Sequence, residues 1–342
     1  FARQGHEVTV IFPTHGRDYS EFQKEFNVKI KDLGKLKFRS IKLKGKGLEL
    51  LIRRALRRIM QLLFEYPDIE LMFKLARALK NEKEYDLLIS IAVPYPIHWG
   101  VAKAWNKQQN IAKTWIADCG DPYMGCKTDS FRKMFYFRYV ERWFMRKANY
   151  ITIPAESARN GYYPEFQKKI RVIPQGFQFP EKIVYDSNIK NKVPAFCYAG
   201  NFIPELRDPR EFLRFLVRLN ADFKFYIFTH TKDLVEPFKQ QLDGKLIIND
   251  IIPREQLLDI LSTMDFLVNF DNNTSVQIPS KLIDYAIAGR PILNITNEPD
   301  SETIMEFLQG NYRNAIKIDN IDQYRIENVC ASFLALSEKN EG

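Results

Sequence analysis

Short apolar runs alternate with amphipathic helical stretches along almost the whole of this chain, and that alternation is what most constrains its fold. Runs bounded by turn residues and separated by helical periodicity are the signature of parallel strands joined by crossover helices, which forces an α/β layer arrangement. In the first half strands are expected at 8–12, 36–43, 87–91, 114–117, 150–153 and 171–173, with helices at 48–64, 68–79, 97–105, 131–147 and 157–162. A second series has strands at 195–199, 224–229, 246–248, 266–269, 291–295 and 315–318. The polar segment between them, which contains Pro180 and Pro194, has no sustained periodicity and reads as a linker.

The expected architecture is two doubly wound, Rossmann-like domains facing a cleft. Their bounds are 1–178 for the N-terminal domain, 179–194 for the linker and 195–342 for the C-terminal domain, with the last helix packing back on the first domain. A length of 342 residues suits two domains of ordinary size. Residues 1–7 (FARQGHE) read as a helix end running straight into a strand, so the N-terminal domain is expected to lack its first strand and the loop after it.

Several classes are excluded by composition. The longest uncharged run, 87–102, falls short of a bilayer span and is broken by Pro94 and Pro96. The four cysteines are scattered without CxxC or His spacing, which reads as a reducing, cytoplasmic setting with no structural metal.

The formal charge of +9 is concentrated in one place. Residues 29–59 have twelve basic side chains against Asp32 and Glu49. Arg53, Arg54, Arg57 and Arg58 cluster on one side of a helical wheel, with Leu48, Leu51, Ile52, Ala55, Ile59, Leu62 and Leu63 opposite. Such a helix is a solvated face on a core-packed element, a docking surface for anionic lipid, or a nucleic-acid patch. Lysines 42, 44 and 46 just before it, and apolar Met60, Leu63 and Phe64 within it, favour lipid at the inner face of the plasma membrane among the functional options. The absence of interleaved aromatics argues against nucleic acid as a partner.

Residues 277–293 (QIPSKLIDYAIAGRPIL) carry the strongest chemical pattern. Pro279 suits a first helical turn and Gly289 ends the helix before an apolar strand. The helix start offers backbone N–H groups to phosphate, joined by the Ser280 hydroxyl and the Lys281 ammonium. Asp284, one turn on, suits ribose hydroxyls or is simply a solvated acid.

Pro279, Ser280, Lys281, Asp284, Tyr285, Gly289, Arg290 and Pro291 resemble the pSKlxEYxxxGkPi element of GT-B glycosyltransferases related to family 4. Residues 4–11 (QGHEVTVI), 170–177 (IRVIPQGF) and 198–202 (YAGNF) resemble further elements of that family, in the right order over nearly the whole chain. The resemblance implies a nucleotide-sugar donor held by the second domain, with Asp284 on the ribose and Arg207, Ser280 and Lys281 on the diphosphate. Gly200 and Asn201 form the turn before Arg207, which is preferred to Arg210. The family's E-x7-E element is half lost, because Val276 stands where its first acid belongs, leaving Gln277 as the polar candidate for the donor sugar.

In the first domain, residues 116–123 (IADCGDPY) resemble the DxRDPW-type loop of some of these enzymes, with Gly120 replacing the arginine. Asp121, ahead of Asp118, is the candidate to hold or activate an acceptor hydroxyl, although an Asp-Pro pair also simply opens turns. His98, where a strand gives way to a helix, is the further candidate for contact with acceptor or donor, against the ordinary role of a local hydrogen-bonding partner.

The expected function is transfer of a sugar from a nucleotide-sugar to a sugar or lipid-linked acceptor, with retention and without a metal or other cofactor, in bacterial surface polysaccharide assembly. The competing expectations are a nucleotide-sugar 2-epimerase on the same architecture and a GT-B-like scaffold without turnover.

Overall fold

The computed structural model describes residues 1–106, 110–125, 132–180, 191–271, 280–296 and 299–338. The chain divides into two compact units, Phe1–Gly176 with Glu327–Gly342, and Phe177–Ile326.

The first unit opens with β1 (Val8–Phe12), α1 (Ser20–Phe26) and β2 (Val28–Asp32), the two strands pairing in parallel. The strand expected at 36–43 does not form, and β2 precedes it instead. Its alternating pattern has no neighbouring strand to satisfy it. The Lys37 and Phe38 backbone N–H groups donate to the buried Glu70 carboxylate (2.9 and 2.5 Å), and Lys74 Nζ donates to the carbonyls of Leu33 and Lys35. Side chains of a helix therefore take over the work of a ladder.

Next come α2 (Gly47–Phe64), α3 (Ile69–Ala78), β3 (Tyr85–Ile91), α4 (Pro96–Ala104), β4 (Ala112–Asp118), α5 (Phe137–Lys147), β5 (Tyr150–Ile153) and β6 (Ile170–Val172). Strands β3-β4-β5-β6 form a parallel sheet in chain order, separate from the β1-β2 pair. Trp115, Ile116 and Ala117 of β4 are fully buried, as a central strand covered on both faces requires. Gly100 lets α4 approach α3, since a Cβ there would lie 3.0 Å from the Met72 carbonyl and the Leu75 side chain. The helix expected at 157–162 is a single 3-10 segment, Glu156–Gly161.

The second unit contains β7 (Ala195–Ala199), α6 (Arg210–Arg218), β8 (Lys224–Phe228), β9 (Leu246–Asn249), α7 (Arg254–Ser262), β10 (Phe266–Phe270), α8 (Ser280–Ile287), β11 (Ile292–Ile295) and α9 (Ser301–Leu308). Its five strands are all parallel in the order β11-β10-β7-β8-β9, a doubly wound sheet. One face buries a stack in which the Phe196 ring lies between Phe225 (4.7 Å) and Phe266 (4.6 Å). The other face packs Cys197, Leu258, Leu267 and Tyr285. The strand expected at 315–318 is absent; only the Ile316 N–H reaches the sheet, at the Ile292 carbonyl, while Ile316 and Ile318 pack against the core.

The chain leaves and re-enters the first unit through paired backbone: Phe177 N–H donates to Tyr324 O (2.7 Å) and Ile326 N–H to Phe177 O (2.9 Å). Helix α10 (Ile326–Glu338) then returns, and its Val329, Phe333 and Leu336 pack with Ile116 and Ile173 of the first unit. Truncation of the buried Phe333 ring removes a large apolar group from this seam. Phe333→Ala is expected to cost about 3 kcal/mol, read as a lower urea midpoint with an unchanged slope.

Candidate functional site

In an open α/β sheet the ligand crevice lies where the strand order reverses, and in the second unit that point falls between the carboxyl ends of neighbouring β7 and β10. After β7 the chain turns at Gly200, whose φ of +143° only glycine adopts readily and whose N–H donates to the Phe228 carbonyl. Helix α8 follows β10 and is pinned to β7 by Tyr285, whose fully buried hydroxyl accepts the Ala199 N–H at 2.9 Å. Ser280 opens α8, and Gln277 lies outside the described residues.

Two cations converge here. Lys281 Nζ sits 4.8 Å from the centre of the Tyr198 ring, inaccessible to solvent and without a hydrogen-bond partner. Burial, reinforced by the charge of Arg207 and only partly offset by Asp271, pushes its pKa down to about 7. Arg207 Nε is likewise buried and unpartnered. Arg210, by contrast, is spent on Asp208, with Nε 2.9 Å from Oδ1, which favours Arg207 for a ligand. Lys281 Nζ and Arg207 Nε are therefore shielded from solvent with no hydrogen-bonding partner at these atoms, and each feels the other's charge. Asn201 fastens the turn through its Oδ1, which accepts the His230 N–H at 3.0 Å.

Asp284, mostly buried, is gripped by Arg254 at the start of α7, with Nε 2.8 Å and Nη2 2.7 Å from Oδ1. Sequence reasoning missed Arg254, because nothing in its spacing links residues thirty positions apart.

In the first unit the structure corrects the reading of His98. The ring is fully buried, with Nδ1 2.8 Å from Ser90 Oγ, Nε2 3.5 Å from Cys119 Sγ, and a stacked contact on Phe144. Burial lowers its pKa to about 3, so it is a neutral core histidine with no access to an acceptor. Asp118, at the end of β4, accepts Thr152 Oγ1 at 2.6 Å. Asp121 is exposed on the following loop, and its carbonyl accepts the Tyr95 hydroxyl at 2.6 Å. The loop is held tightly from behind, since a Cβ on Gly125 would fall 2.1 Å from the Gly161 carbonyl oxygen.

Glu141 on α5, also missed in the sequence, lies beneath that loop. It is 1% exposed and accepts the Tyr163 hydroxyl at 2.7 Å. Burial pushes its pKa up to about 7, against the opposing effects of Tyr163 and the nearby N–H groups of Met124 and Tyr123.

Helix α2 buries none of its residues fully: Met60, Leu62 and Leu63 near its end are half-buried, while the apolar side of its first turns is open, against the core-packed reading there. Leu48 is 74% exposed and Leu51 66%, with Ile52, Leu56, Ile59 and Phe64 also exposed. Arg53 pairs with Glu49 one turn away, while Arg54 and Arg57 are exposed and Arg58 is partly covered. Among the described residues no helix is long and apolar enough to cross a membrane.

The raised pKa of Glu141 gives a pH signature. The folded state keeps this proton above the unfolded pKa of 4.5, so the stability it contributes is present below pH 4.5 and is lost as pH rises through 7. Glu141→Gln is expected to remove roughly 3 kcal/mol of this decline, so thermal melts of the two proteins converge at low pH and diverge toward pH 8 in favour of the variant.

The family model for glycosyltransferase family 4 matches residues 1–178. A sequence search of curated proteins finds no match. Among solved structures, the lipopolysaccharide outer core galactosyltransferase WaaB in its apo form is 13% identical, with a TM-score of 0.56 over 94% of this chain and 86% of that one. A glycosyltransferase from Rickettsia africae is 9% identical, with a TM-score of 0.60 over 99% and 91%. Anabaena HepE in complex with UDP-glucose is 10% identical, with a TM-score of 0.51 over 98% of each. The family match over more than half of the chain, joined to this fold, makes the protein a member of glycosyltransferase family 4 with the GT-B architecture of two Rossmann-like domains.

Proposed function

We propose that this glycosyltransferase takes its sugar from a nucleoside-diphosphate donor bound at the β7–β10 switch point and passes it to an acceptor hydroxyl. The observation that carries this reading is the pair of half-buried cations, Lys281 and Arg207, whose Nζ and Nε are shielded from solvent and lack hydrogen-bond partners. A diphosphate supplies the missing negative charge, and Asp284 accepts from the ribose. In the transfer the bond from the anomeric carbon to the donor phosphate oxygen breaks and its electron pair leaves with the diphosphate. The acceptor oxygen bonds to that carbon, and its proton passes to the departing phosphate. Fixed cations stabilise the leaving charge, so the reaction proceeds without a metal. Same-face attack with retention follows the family resemblance. On the acceptor side Asp121, exposed beyond β4, orients the hydroxyl.

Helix α2 supports an acceptor at an anionic membrane surface. Leu48, Leu51, Ile52, Leu56 and Ile59 are exposed on it, and the arginines beside them match anionic headgroups in sign. A cytoplasmic protein held peripherally on the inner leaflet, building a bacterial surface polysaccharide, fits this surface. The likeness in fold to a lipopolysaccharide galactosyltransferase agrees with that setting.

A thermal-shift panel of UDP, GDP, ADP and CMP tests the donor site; one nucleotide should raise the melting temperature and failure of all four would refute the assignment. Because Lys281 has a pKa near 7 before an anion arrives, binding must recharge it above that pH. Affinity is expected to be flat below pH 7 and to fall by up to about tenfold per unit above it, with Lys281→Met weaker and flat throughout. Reversing charge at Arg54 and Arg57 should abolish co-sedimentation with vesicles containing phosphatidylglycerol, and undiminished binding would remove the membrane role.

A further inference from the structure

We propose that Arg254 is a positioning residue for the donor ribose, holding Asp284 by one carboxylate oxygen and leaving the other for the sugar hydroxyls. The inference rests on the donor-site reading above.

Arg254 Nε donates to Asp284 Oδ1 at 2.8 Å, and Nη2 lies 2.7 Å from the same oxygen as an ion contact outside hydrogen-bonding geometry. A two-oxygen fork is the usual way for arginine to neutralise a carboxylate, and it occupies both oxygens. Here no described group donates to Oδ2. The third nitrogen explains why the guanidinium takes this one-sided grip: Nη1 donates to the Gln178 carbonyl at 2.8 Å, and the guanidinium carbon lies 5.8 Å from the centre of the Phe177 ring. Phe177 is in turn fixed through its own N–H and carbonyl to Tyr324 and Ile326. Arg254 is thus anchored to ordered backbone and sets the rotamer of Asp284. Residue 276 is valine, so Asp284 is the one acid left of the two in the related element. Its orientation then matters more than its charge.

Lysine at 254 preserves the charge but has one nitrogen, which reaches either Asp284 or the Gln178 carbonyl. The roles of charge and orientation are therefore separable.

The test is isothermal titration of the full chain with UDP and GDP and with their 2′,3′-dideoxy counterparts, and with inorganic pyrophosphate as a control for the intact diphosphate site. The wild-type protein is expected to bind its preferred ribonucleotide at least about tenfold more tightly than the dideoxy form, a loss typical of an unpaired buried polar partner. Arg254→Ala should reduce that ratio to within about twofold while pyrophosphate affinity is unchanged, and Arg254→Lys should fall between. Asp284→Ala should erase the ratio, and the double variant should be no worse than either single one. If Arg254→Ala does not fold, the lysine variant carries the test, and a wild-type ratio there overturns the proposal. So does a wild-type ratio in Arg254→Ala, or tighter ribonucleotide binding, which would make Arg254 an occluding residue. Equal binding of ribo and dideoxy forms by the wild-type protein overturns it while leaving the diphosphate site standing. No binding of any nucleotide or of pyrophosphate removes the donor-site reading along with it.

Discussion

The bond from the Ala199 N–H to the Tyr285 hydroxyl is the constraint on which the donor side of this molecule depends. It closes the end of the central strand β7 onto α8 inside a region without solvent, where an unmade hydrogen bond would cost about 1–3 kcal/mol. With α8 fixed against β7, Lys281 comes to lie over the Tyr198 ring and near Arg207, and Asp284 comes within reach of α7. One tyrosine thus sets the relative place of Lys281 and Asp284, the groups proposed to meet phosphate and ribose. The sheet order does the rest, since the reversal between β7 and β10 leaves space above both strand ends.

Buried charge is used in opposite ways in the two units. Lys281 and Arg207 are held close together with Nζ and Nε unpartnered, a costly arrangement unless an anion visits. Glu141 is also buried, and burial raises its pKa to about 7, so it holds its proton far above the ordinary carboxylate range while supporting the Asp121 loop. The first is poised for exchange with a ligand, while the second is fixed in the scaffold.

Much of the fold was legible because strand patterns are strong where both faces are buried. The runs at 8–12, 150–153 and 195–199 correspond to strands with the same bounds. The pattern failed at 36–43, whose backbone bonds the Glu70 carboxylate in place of a strand, and at 315–318, where Ile316 N–H bonds the edge strand β11 without a ladder forming. Motif order in the sequence singled out Arg207 and Lys281, and the structure places them close enough for the charge of one to act on the other. His98 was misread because its place between strand and helix is shared by surface and core histidines, and only packing on Phe144 and Ser90 distinguishes them. Arg254 and Glu141 left no local signal, since each acts through residues distant in sequence.

The return of α10 to the first unit has a consequence for biosynthesis. Its Val329, Phe333 and Leu336 cover Ile116 and Ile173, yet they are translated only after the whole second unit, Phe177–Ile326. At about 5–20 residues per second the ribosome needs on the order of 10–30 seconds to make that insertion, far longer than an α/β unit needs to collapse. The nascent first unit therefore waits with an uncovered apolar seam while its neighbour emerges. That exposure ends only when α10 clears the exit tunnel.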